Sequence, residues 1–160
     1  MNYKEYINLV SPKCPDMKEI TIGGLSTMVF YEEFFKWEWL ATKLKIFSFI
    51  SYVDKIDENG MNRYSEDCII YAKKNKRGLP VGLQNGIISN NVYVSEKVDH
   101  GAITFASSRP RKHFGVFELP VIVDLARKEL YYYRDEIVWG AMYSSFIKGY
   151  IDAKFSIISR

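Results

Sequence analysis

The chain has 160 residues, 48% hydrophobic, 16% aromatic and 26% charged, with a formal net charge of +3. That is the balance of one globular domain able to bury a core, and it argues against disorder and against a strongly basic nucleic-acid binder. No apolar run approaches the ~20 residues of a membrane-spanning helix, and the opening MNYKEYINLV lacks the apolar centre of a secretion signal.

Residues 1–10 suit a short helix with Tyr3, Tyr6, Ile7 and Val10 on one side, broken by two prolines between Ser11 and Asp16. Residues 18–22 suit a strand stopped by Gly23-Gly24. Residues 27–42 read as an amphipathic helix: Phe30, Phe34, Trp37 and Ala41 recur at helical spacing, with Glu32 and Glu33 early, where the helix dipole favours acids. Residues 43–53, KLKIFSFISYV, are rich in β-formers and read as a strand. A polar turn containing Asn59-Gly60 leads to a helix over 61–75. Its buried stripe is Met61, Tyr64, Cys68 and Tyr71, and Gly78 is its stop. Residues 79–91, with Pro80 and Asn85-Gly86, read as a loop or a hairpin around a tight turn, followed by a short strand at 92–94. Asp99 can cap a helix ending near Ala106, and 107–112 form a basic loop. A β-hairpin follows, with strands near 114–124 and 129–134. Pro120, lacking a ladder donor, favours an edge or bulge position. The last helix, 139–158, turns Met142, Phe146, Ile147 and Tyr150 inward, and Trp139 and Phe146 are predicted to be buried. This order predicts an α+β fold in a single domain, 1–160. It is a small, mainly antiparallel sheet with a C-terminal β-hairpin, covered by amphipathic helices.

The chemistry-bearing residues are few. Cys14 and Cys68 lie far apart with no CxxC, which suits reduced thiols in the cytoplasm, and Cys68 is predicted to be buried and inert. His100 and His113 are the only histidines, and neither shows the convergent spacing of a metal site. His113 follows Arg111 and Lys112, whose charges would disfavour its protonation. Glu118 and Asp124 fall on one strand face, ~20 Å apart at ~3.3 Å per residue, too far for a carboxylate pair of the glycosidase kind. No catalytic residue, metal ligand or cofactor is expected. Two basic clusters stand out: Lys73, Lys74, Lys76 and Arg77, and then Arg109, Arg111 and Lys112. Each can be plain solvated surface, and together they can form a partner-binding patch. The acids Asp54, Asp57, Glu58, Glu66 and Asp67 lie upstream, and such segregated charge suits steering between proteins.

The block KNKRGLPVGLQNGI (74–87), the strand HFGVFELPVIVDL, the strand LYYY and Trp139-Gly140 resemble small bacterial immunity proteins of polymorphic-toxin or contact-dependent growth inhibition loci. The abundance of Ile, Lys, Asn and Tyr also suggests an AT-rich bacterial genome. The resemblance implies a cytoplasmic protein that neutralises one cognate toxin domain by stoichiometric binding, without catalysis and without a membrane or nucleic-acid partner. Two rivals remain. One is a small enzyme with a pocket near His113, Arg109 and Asp124, and the other a nucleic-acid-associated protein using the basic clusters.

Overall fold

The structure, a computed structural model, describes residues 1–36, 39, 43–77, 85–113, 115–136 and 141–158. The elements are α1 (Tyr3–Val10), a 3-10 turn (Ser11–Lys13), β1 (Lys18–Ile22), β2 (Leu25–Phe35), β3 (Lys43–Tyr52), α2 (Glu58–Asn75), β4 (Asn85–Ser95), α3 (His100–Ser107), β5 (Lys112–His113), β6 (Val116–Asp124), β7 (Glu129–Tyr131) and α4 (Ala141–Phe155). The α+β architecture and the C-terminal hairpin of β6 and β7 follow the sequence reading.

Local chemistry sets the helix starts. Asn2 and Glu5 form a reciprocal capping box at α1. Asp57 caps α2 by accepting from the Gly60 N–H at 2.8 Å, and Asp99 caps α3 by accepting from the Ala102 N–H at 2.7 Å.

The strands form one mixed sheet in the order β1-β2-β3-β4-β6, with β5 and β7 both on the outer side of β6. The β1–β2, β2–β3, β5–β6 and β6–β7 pairs are antiparallel. The central β3–β4 and β4–β6 pairs are parallel. Both parallel crossovers carry their helices, α2 and α3, over the same face, as right-handed crossovers require. Below that face lie Val29, Phe47, Phe49, Tyr93 and Ile122. The opposite face, with Phe30, Ile46, Ile50, Val92 and Val121, is covered by α1 and α4.

Two assignments differ from the sequence reading. Residues 25–35 are strand β2, where a helix over 27–42 is expected. The i,i+4 spacing of Phe30 and Phe34 coincides with strand alternation, since residues four apart also share a strand face. Helices cover both faces here, so no polar alternation betrays the strand. Trp37 and Ala41 lie outside the described residues. The second difference is β4, a strand from Asn85 rather than a turn at Asn85-Gly86. Its Ser89, Asn90 and Asn91 look like loop residues but are fully buried. Asn91 Nδ2 donates to Ser65 Oγ at 2.8 Å and Ser89 Oγ to Asn91 Oδ1 at 2.7 Å. Residues 78–84, including the helix stop assigned to Gly78, lie outside the described residues.

Pro120 sits on the outer side of β6. Gly115 C=O and Leu125 N–H bond toward β4, so the even-numbered residues between them direct their backbone groups outward. The missing N–H of Pro120 therefore faces the gap between β5, which pairs at 116–117, and β7, which pairs at 122–124. This is the edge position that its chemistry favours. On α4, Ile147 and Tyr150 are buried and Phe146 is half-buried against the same core. Trp139 lies outside the described residues.

Candidate functional site

The two basic clusters, more than thirty residues apart in sequence, lie toward the same end of the sheet. α2 runs against β3 and β4, so Lys73, Lys74, Lys76 and Arg77 lie at the amino ends of the parallel strands. Lys45 is buried in β3, and its ammonium donates to the Arg77 carbonyl. Burial lowers the pKa of this ammonium, an effect opposed by Glu33 across the β2–β3 pair. From Lys45 a single row of side chains crosses four strands through Ile87 and Val116 to His113, about 14 Å at ~4.8 Å per strand. Arg109, Arg111 and Lys112 lead into that row. Lys73, Lys74, Arg77 and Arg109 are exposed, and Lys76 is half-buried.

Arg111 differs from the other cations. Its Nη2 lies 3.2 Å from Oε1 of Glu118, and His113 Nε2 lies 2.6 Å from Oε2. The Glu118 side chain is 1% exposed, against 40% for Arg111 and 25% for His113. A carboxylate in an otherwise apolar strand must be paired if it is buried, and these two residues pair it. His113 therefore has a carboxylate against its ring, a partner that its sequence neighbours Arg111 and Lys112 did not suggest. Arg111 and His113 act first as structural partners of Glu118.

Beside the basic end lies a groove of about 490 Å³, lined by Tyr31, Phe47, Tyr71, Lys18, Asn75 and Arg77 among others. Its floor is a cluster of rings packed largely edge to face. Tyr31 meets Phe47 at 4.5 Å between centroids, and Tyr71 stands at 83° to Phe47 and 89° to Phe49. Arg77 and Lys18 are exposed at its rim, with Asp16 on the same rim. The outer face of α2 adds Ile70, 63% exposed, one turn from Lys73 and Lys74.

The other candidates do not assemble. Asp124 lies eight residues along β6 from Val116, the partner of His113, which is ~26 Å in an extended strand. It instead caps its own turn, accepting from the Ala126 and Arg127 N–H groups and pairing with Arg127 Nη1 at 2.6 Å. The pocket of His113, Arg109 and Asp124 is therefore not brought together. His100 is exposed at the start of α3, just after Val98 bridges Ile56 at the carboxyl end of β3 and β4. Glu118 and Asp124 remain six residues apart on one unbroken strand. Cys14 and Cys68 are free and buried. Burial pushes the Cys14 thiol up to about 12 and raises that of Cys68 well above its ordinary value, so both are held as inert thiols. Among the described residues no cluster of His, Cys, Asp and Glu is placed to hold a metal ion. No described helix is long and apolar enough to cross a membrane.

Sequence reasoning missed Glu118 as the partner of Arg111 and His113, although a lone acid within VFELPVIV signals such a need. It also missed the groove, whose walls come from β1, β2, β3 and α2 and leave no local signature. Compared with known proteins, the chain matches no protein-family model, no curated protein and no solved structure.

Proposed function

We propose that this is a cytoplasmic protein-binding module, an immunity protein that neutralises a cognate toxin domain by stoichiometric occlusion. The observation that supports it most is the placement of two sequence-distant basic clusters toward one end of the sheet, beside exposed Ile70. A fold that segregates cations in this way, at a net charge of only +3, is suited to steering an acidic protein surface onto a defined patch. An interface of ~800 Å² per partner needs about 20–30 residues, so it would draw on the exposed side of α2, on Lys76 and Arg77, on the loop before β5 and on neighbouring strand ends.

The test first isolates a cognate toxin domain by co-purification with this chain and then uses that domain. Protection in a toxin activity assay should saturate near one equivalent. It should persist in His100→Ala/His113→Gln, where Gln retains a donor for Glu118. Lys73→Glu/Lys74→Glu/Arg109→Glu should slow association most at low salt. Protection at sub-stoichiometric amounts, or loss of protection in the folded histidine variant with binding unchanged, would replace occlusion with chemistry.

A further inference from the structure

We infer that the groove between the β1–β2 edge and the end of α2 receives an aromatic side chain carried on an acidic segment of the partner protein. This rests on the protein-binding reading above and specifies where the partner is anchored and by what chemistry.

Three observations lead there. The groove, at about 490 Å³, falls within the ~300–1,000 Å³ of clefts that hold a compact group. Its floor is aromatic, and its rim carries Lys18 and Arg77, with Lys73 and Lys74 one turn back along α2. An apolar floor under a cationic rim complements an aromatic residue flanked by carboxylates. Buried aromatic anchors are also the residues that dominate interface energies. Ile70, exposed beside Lys73 and Lys74, extends the same apolar and cationic pattern along α2.

The same ingredients raise the question of a nucleic-acid strand, which stacks bases on exposed ring faces. Here Phe47 and Phe49 are stacked on each other and buried, and Tyr71 stands edge-on to both, so neither phenylalanine ring offers an open face to a base. Asp16 on the rim would repel phosphates and carboxylates alike, so it is the burial of the phenylalanine rings that favours a protein side chain over a stacked base. A larger cleft of about 660 Å³ between β7 and α4 is less suited, because its Arg134 is already paired with Asp152 at 3.3 Å.

The probe is the acetylated and amidated peptide Asp-Glu-Trp-Glu-Asp, titrated into ¹⁵N-labelled full-length protein at low salt. The comparisons are the same peptide with Ala for Trp, Lys-Lys-Trp-Lys-Lys, and a dT oligonucleotide. Amide shifts should concentrate in residues 16–18, 29–31, 47 and 71–77. Replacing Trp by Ala should weaken binding about tenfold or more. Lys18→Glu/Arg77→Glu alters only exposed rim residues, so the fold is kept. It should abolish the preference for the acidic over the basic peptide. Shifts confined to other surfaces, equal affinity for the Ala peptide, or no site-localised shift at millimolar peptide would overturn the assignment. So would tighter binding of the oligonucleotide in this groove. A positive peptide result with no protection in the toxin assay would separate failure of the neutralisation reading from success of the groove.

Discussion

The hydroxyl of Tyr150 reaches from α4 across the core to a carboxylate on β2. It donates to Glu32 Oε2 at 2.6 Å and lies 3.4 Å from Ser48 Oγ, while Lys154 Nζ holds the other oxygen, Oε1, at 2.9 Å. Tyr150 is 7% exposed, and both Glu32 and Lys154 are 16% exposed at the side chain. Tyr150→Phe keeps the ring and removes only the hydroxyl. A hydrogen bond to a charged group contributes about 1.5–3 kcal/mol. The Ser48 contact is long and adds little, and partial exposure lets water reach Glu32, so the lower part of that range applies. We expect a loss of about 1.5–2 kcal/mol, or roughly 3–8 °C in Tm for a domain of this size. Urea unfolding followed by tryptophan fluorescence measures it. The pairing can be isolated in a double-mutant cycle with Glu32→Gln, where a coupling energy should appear. A loss under about 0.5 kcal/mol, the size of an ordinary surface substitution, would refute the view that this bond ties α4 to the sheet.

Two further outcomes follow from the same structure. Removing both partners of Glu118 with Arg111→Ala/His113→Ala should cost about 3 kcal/mol, at the low end for an orphaned buried charge because Arg111 is partly solvated. Adding Glu118→Leu should then recover most of the loss, whereas no recovery in urea unfolding would show that the carboxylate is not the source. The Cys14 thiol, held near 12 by burial against an ordinary value of 9.0, keeps its proton in the folded state where the unfolded chain loses it. Its contribution is therefore complete below pH 9 and disappears as pH rises toward 12. Cys14→Ala should give a flatter fall in unfolding free energy across that window, and parallel curves for the two proteins would contradict it.

Much of the fold was readable because local signals and tertiary demands agreed. Gly23-Gly24 bounded β1, with both glycines at positive φ. Asp99 marked α3, Pro120 marked an outer edge, and the stripe from Met61 to Cys68 marked α2. β2 and β4 were unreadable for opposite reasons. β2 mixes apolar residues with the acids Glu32 and Glu33 on both faces, so its period was ambiguous. β4 carries Ser89, Asn90 and Asn91, whose burial becomes acceptable only through partners placed by the fold: Ser65 on α2 for Asn91, Asn91 for Ser89, and Ser48 on β3 for Asn90. The basic clusters were visible as runs of charge, but their placement at one end of the sheet depends on the parallel register through Ile87 and Val116, which no local pattern encodes. Arg111 looked like a free cation because Glu118, its partner, reads from sequence as one more strand residue.

The outer side of β6 has a consequence for self-association. VFELPVIVD is the kind of strongly β-forming, weakly charged strand that templates pairing between copies when its edge is open. Here β5 and β7 take up its two ends, and the stretch left between them contains a residue with no donor to offer. An incoming strand could not run a continuous ladder past Pro120, and the twin caps leave it too little length to bind on either side. The opposite rim, β1, reads KEITI, with exposed Lys18 and Glu19 at its start. Each rim of the sheet thus resists fibrillar stacking by its own device, one through an interrupted ladder and the other through charge.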